Sequence, residues 1–132
     1  MVESRLERGS AVAEFVMVAS LVLLLGMGLF QLGLILHVRN TVIACAAEGA
    51  RAGARADASP AEAAERTRQL VTDSLGTAYA QRVTAERATT DAGVAVVEVR
   101  VDTPIPVIGL IGPSGSMQLV GRAFDERQVS AP

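Results

Sequence analysis

From Phe15 to Leu36 the chain runs for 22 residues without a formal charge, and only Ser20 and Gln31 among them are appreciably polar. A bilayer core about 30 Å thick needs about 20 such residues in a helix that rises 1.5 Å per residue. A core helix of a small domain would keep a polar face, and this run has none. It is therefore read as a transmembrane helix. A secretory signal is the first competitor, but its apolar region is usually about 7–15 residues and ends at a small-residue cleavage site. Here the next such site, Ala44-Cys45-Ala46, lies beyond His37, Arg39 and Asn40.

The helix is expected to continue past the membrane. "HVRNTVIACAAEGARAGARA" has no Pro and is rich in Ala and Arg, both good helix formers, although Gly49 and Gly53 should weaken it. A helix from Ser10 to about Arg55 would be about 70 Å long. Small residues recur every seven positions at Ala19, Gly26 and Gly33, then Asn40 and Ala47. This row either allows close approach by another helix or follows by chance from an Ala/Gly-rich composition. Ser59, Pro60 and Glu62 then form a helix-start signature, and a second helix should run from about Pro60 to Leu75 and stop near Gly76. Its apolar stripe is Leu70, Val71 and Leu75, extended by Ala63 and Ala64. Thr77–Arg87 reads as more helix or as loop.

In "VAVVEVRVD" Val97, Val99 and Val101 alternate with Glu98, Arg100 and Asp102. Period two predicts a strand with the valines inward and the charges in water. A second strand is expected from Met117. The Pro/Gly connection between them carries Ile105, Val107, Ile108, Leu110 and Ile111. It reads as core ahead of a membrane-touching tip or a subunit contact, because a domain this small needs its apolar residues. The last residues, "VSAP", are expected to fray. The expected class is α+β: a long N-terminal transmembrane helix continuing outside the membrane, a second shorter helix, and a C-terminal antiparallel hairpin or small sheet.

The residue inventory argues against catalysis. The chain of 132 residues has one His, one Cys and a net charge of -2, and every basic residue is Arg. One His and one Cys build neither a His-based triad nor a metal centre, and without Lys there is no phosphate-cradling Walker loop. A nucleic-acid binder would show a basic excess and stacking aromatics, whereas here there are one Tyr, three Phe and no Trp. The expectation is a protein that is not an enzyme, with no cofactor, no metal, no nucleic acid and no small-molecule substrate.

The start of the chain carries the most specific pattern. Gly9 is followed by Ser-Ala-Val-Ala-Glu-Phe and then the span, so Glu14 stands at the mouth of an otherwise apolar run. This resembles a type IV prepilin cleavage motif, with Gly at the last leader position and Glu at the fifth mature position. More narrowly, "RGSAVAEFVMVASLVLLLGMGLFQLG" and the downstream "AAEGARAGA" resemble the TadE-like family, minor pilins or pseudopilins of the tight-adherence (Flp-type) pilus system. The resemblance covers about Arg8 to Ala54. Members often carry another acid late in the span, where this chain has Gln31. Its leader also holds Glu3 and Glu7 among its basic residues.

The resemblance implies a preprotein in the cytoplasmic membrane, cut between Gly9 and Ser10 by a prepilin peptidase. Residues 1–9 would be the leader, residues 10–56 the membrane and extended helix with its span at about 15–36, and residues 57–132 a small extracytoplasmic domain. Glu14, with Phe15 beside it, would serve assembly with other pilins or pseudopilins and pilus assembly proteins, and the product could enter a cell-surface pilus. The arginines on either side of the span, Arg5 and Arg8 before it and Arg39, Arg51 and Arg55 after it, do not settle orientation by the positive-inside rule. The cytoplasmic N-terminus is thus implied by the resemblance alone. The alternative function is an unprocessed single-pass membrane protein whose outer domain binds a partner. A third reading takes "VIAC" as similar to a lipoprotein box with Cys45 as the anchor, but the polar "HVRN" separates it from the apolar run. A small buried helix residue is the preferred reading of Cys45.

Overall fold

The structure is a computed structural model that describes residues 2–109, 112 and 114–129. The first helix, α1, runs Val2–Ala54. It thus begins before Ser10, the expected start, because nothing in residues 2–9 breaks a helix and Gly9 alone only weakens one. The second helix, α2, runs Pro60–Leu75 as expected. Ser59 caps it, its Oγ accepting from the Glu62 N–H at 3.3 Å, and Pro60 takes the first turn, where its missing N–H costs nothing. Gly76, at φ +102°, ends it and donates its N–H back to the Thr72 carbonyl.

Three antiparallel strands follow: β1, Arg82–Thr89; β2, Ala95–Pro104; and β3, Ser116–Phe124. They form one sheet in the order β1-β2-β3. The α+β class and the small antiparallel sheet are as expected. One element was not: the segment read as helix or loop, Thr77–Arg87, is a short 3-10 turn at Thr77–Tyr79 and then most of β1. Its Ala, Arg and Glu favour helix locally, but β2 offers a full set of ladder partners, from Arg82 opposite Asp102 to Thr89 opposite Ala95. The expected frayed end at Ser130–Pro132, and Leu110 and Ile111 of the apolar connection, lie outside the described residues.

The chain divides into two compact units, residues 1–34 and 35–132. The first is the N-terminal part of α1, which holds most of the uncharged run. The second contains the hydrophobic core, in which Val38, Val42, Cys45, Ala46, Ala50 and Ala54 of α1 meet Ala63 and Val71 of α2 and Val83, Val97, Val99, Val101 and Leu119 of the sheet. Small residues set how closely these layers approach. A Cβ on Gly49 would overlap the Thr67 hydroxyl and come within 2.8 Å of the Ala63 carbonyl oxygen, and one on Gly53 would overlap the Ala63 methyl. Gly49 and Gly53, expected only to weaken α1, are therefore where α2 crosses it. A Cβ on Gly121 of β3 would overlap the backbone between Ala46 and Ala47, so α1 lies directly on the sheet there.

Candidate processing and assembly segment

Gly9, Ser10, Glu14 and Phe15 follow one another on α1, and all are exposed. Ser10 and Glu14 stand four residues apart, so they share one helix face. Phe15, 72% exposed, begins a row of apolar side chains with no covering: Val16, Leu21, Leu25, Leu29 and Leu32 are all more than half exposed. A helix that leaves so many large side chains uncovered is not part of a water-soluble core. Within α1 an 18-residue window reaches a mean hydropathy of 2.3, with none of it buried. Ser20 satisfies its hydroxyl by donating to the Val16 carbonyl at 2.7 Å, the local solution that suits a polar group in an apolar surrounding.

The row suspected of helix packing has Ala19 half-buried and Gly26 and Gly33 exposed. A Cβ at Gly9, Gly26 or Gly33 would meet nothing within 4 Å. No contact within the described chain accounts for glycine at these positions, in contrast to Gly49, Gly53 and Gly121.

The α+β domain holds a second charged arrangement, one that the strand alternation placed in water. Glu98 was expected in water, but it is 4% exposed. Its carboxylate accepts from Arg100 Nη2 at 2.6 Å and from Arg122 Nε at 2.5 Å. Arg100 also reaches Glu86 Oε1 at 3.3 Å. The register sets Glu86 and Arg122 on either side of Glu98, so two like charges would stand opposed across β1 and β2 without the arginine between them. The Arg122 hydrogen bond, the largest cause, holds the Glu98 carboxyl below its ordinary range, with burial opposing it and Arg100 adding to it. The sequence signal was available only in part: strand alternation gave the face, but not the arginine arriving from β3.

A third polar cluster ties the turn after α1 to the sheet. Arg87 Nε pairs with Asp125 Oδ2 at 3.0 Å, while Arg87 Nη2 and Arg127 Nη2 each donate to the Ala58 carbonyl at 3.1 Å. These bonds hold the turn after α1 to β1 and to the segment past β3. Cys45 is buried in the core, and burial, the dominant cause, raises its thiol pKa while a Ser74 hydrogen bond opposes the rise. That combination disfavours the reactive thiolate.

The architecture of one uncovered apolar helix followed by a small α+β domain fits a single-pass membrane protein. Residues 9–51 match the family model described as TadE-like protein, within the stretch from Arg8 to Ala54 where the resemblance was expected. No curated protein and no solved structure matches the chain.

Proposed function

We propose that this protein is a membrane-anchored minor pilin or pseudopilin, cut by a prepilin peptidase and acting in assembly of a tight-adherence type pilus. The observation that carries the reading is the TadE-like match beginning at Gly9, on a helix whose next residues are exposed Glu14 and an uncovered apolar run. The N-terminus is assigned to the cytoplasm and residues 37–132 to the outside. No catalysis is assigned.

The scissile bond, Gly9–Ser10, lies within α1, where its polar groups belong to the helix ladder. A peptidase must open that turn locally, and glycine lowers the cost by about 0.5–1 kcal/mol relative to alanine. Cutting creates a new amine on Ser10, largely protonated at neutral pH. Glu14 then pairs with that amine, or with the amine of a neighbouring subunit, which fixes axial register and reduces the cost of carrying a carboxylate into an apolar bundle.

Intact-mass measurement of the membrane-extracted protein tests the reading. Loss of the first nine residues supports it. A full-length mass leaves the unprocessed, partner-binding alternative. A lipidated chain starting at Cys45 is disfavoured because it would discard Val38 and Val42, which belong to the core. Gly9→Leu is expected to remain full length in the membrane. Glu14→Ala is expected to be cut but to be lost from preparations of the fibre or its assembly partners.

A further inference from the structure

The connection between β2 and β3 is rich in apolar residues. Residues 103–118 carry no formal charge. Ile105 N–H donates to the Gly115 carbonyl at 3.0 Å and closes the base of the loop, where Pro106 is buried and Ile105 half-buried. Beyond that base, Val107 is 41% exposed and Ile108 37% exposed. Both are exposed large apolar side chains outside the core cluster.

Two fixed points locate the loop along α1. Gly121 lies against the backbone of Ala46 and Ala47. Arg127, just past β3, donates to the carbonyls of Ala56 and Ala58, just past α1, at 3.3 and 3.1 Å. The strand and the helix therefore run in the same direction. From Gly121 back to Ser116, where the loop returns, is about 17 Å at the usual rise of a strand. The same distance along a helix is about 11 residues, which leads from Ala46 to Ile35. The joint packing of Val38, Leu119 and Met117 in one core agrees with this alignment. The loop base is thus level with Ile35 and Leu36, the last two residues of the uncharged run. The rung Arg82, Asp102 and Gln118 lies about 10 Å from Gly121, level with about Arg39.

We infer that Pro104–Gly109 is a second membrane contact, with Val107 and Ile108 entering the boundary between headgroups and acyl chains of the leaflet from which the domain emerges. This rests on the reading of residues 15–36 as a span. Lipid is the occupant that the alignment selects: the uncharged tip meets the bilayer where the span ends, and Arg39 and Arg82 stand at the height of the lipid phosphates. Interfacial contacts combine buried apolar side chains with basic residues at the headgroups in this way. Extraction of the chain from the bilayer then carries the cost of uncovering the loop as well as the span.

The test uses the full-length chain with Cys45→Ala as background and a single cysteine at Val107, Leu24 or Ala92, each labelled with an environment-sensitive fluorophore. Ala92 is an exposed residue of the β1–β2 turn, at the opposite end of β2 from the loop. The proteins are reconstituted in phosphatidylcholine–phosphatidylglycerol vesicles with or without brominated acyl chains. The expected result is a blue shift and loss of emission in brominated lipid at positions 107 and 24, with neither change at 92. If 107 behaves like 92 while 24 is quenched, the loop contact is overturned and the span stands. If 24 is not quenched, the span reading fails and this inference with it. A blue shift at 107 that brominated lipid does not quench, and that fades as protein is diluted in lipid, would assign the loop to a second copy and overturn the lipid contact.

Discussion

The two halves of α1 are built from similar small and apolar residues and meet different surroundings. In residues 1–34, Gly26, Gly28 and Gly33 have open space where a side chain would stand, and Leu23, Leu24 and Leu29 are more than two-thirds exposed. Past Ile35, Gly49 and Gly53 are pressed against α2, and Val42, Ala46 and Ala50 are fully buried. Glycine inside an exposed helix costs about 0.8–1.0 kcal/mol relative to alanine. In the second half that cost is offset within the chain, since nothing larger fits between α1 and α2. In the first half no contact within the described chain offsets it, so the advantage lies in what surrounds the helix, whether lipid or the helices of other subunits. The same residue type thus stands in two settings, one packed against the chain's own helix and one open to whatever surrounds α1.

The largest expected effect falls on the folded side of this contrast. Val99 is completely buried between sheet and helices. Val99→Asp places an unpaired charge there and is expected to cost several kcal/mol, enough to abolish the protease resistance of residues 35–132. Retained resistance would mean that this core does not hold the domain together.

Next in size are the close approaches. Gly49→Ala and Gly121→Ala each add one methyl group where another atom already stands. Overpacking of this kind costs about 1–3 kcal/mol, more where backbone has to shift. Gly121→Ala should be the worse of the two, because it meets the α1 backbone, whereas the Thr67 side chain beside Gly49 can turn at the expense of its 2.8 Å bond to the Ala63 carbonyl. Denaturant titration of the full chain in detergent, read on the β-sheet signal, would rank them. Equal tolerance of both would break the view that small residues set the layer spacing.

Glu98 comes third. Glu98→Gln removes the charge under Arg100 and Arg122 and is expected to cost about 1–2 kcal/mol, toward the low end for a charged hydrogen bond because both arginines are half exposed to solvent. The sign with pH follows from the lowered pKa of the carboxyl in the folded chain. The contribution is fully present above the unfolded value of about 4.3 and is lost as pH falls through the lower folded value. Stability of wild type minus Glu98→Gln should therefore shrink on acidification below about pH 4.3. A difference independent of pH would point to packing rather than charge.

These effects also show which features could be read in advance. β2 was legible because Val97, Val99 and Val101 alternate with charged residues, and α2 because Ser59 and Pro60 open it and Gly76 closes it. β1 was not, since Val83 and Ala85 are its only apolar inward residues and its Ala, Arg and Glu favour helix. Its conformation is decided by pairing with β2, a contact between distant parts of the chain. The burial of Glu98 was hidden for the same reason, as Arg122 lies 24 residues further on. Gly49 and Gly53 did carry a local signal, the four-residue spacing of a close helix crossing, but the two glycines were read only as weakening the helix. The segment around Gly9 and Glu14 was legible as a motif alone, and no contact among the described residues explains its side chains.

The smallest effect on the folded domain is expected from Gly26→Ala and Gly33→Ala. Each adds a methyl group in open space, and each raises helix propensity. Stability of residues 35–132 should remain within about 0.5 kcal/mol of wild type, as for substitutions away from the core. Assembly is the readout that separates the two possible surroundings. If lipid alone surrounds these positions, both variants should join partners normally, because a methyl group is as acceptable to acyl chains as a hydrogen. If another helix packs there, the added carbon forces the backbones apart, and cross-linking of the variants to assembly partners in membranes should fall while cleavage after Gly9 continues. A loss of domain stability in either variant would contradict the division of α1 on which the comparison rests.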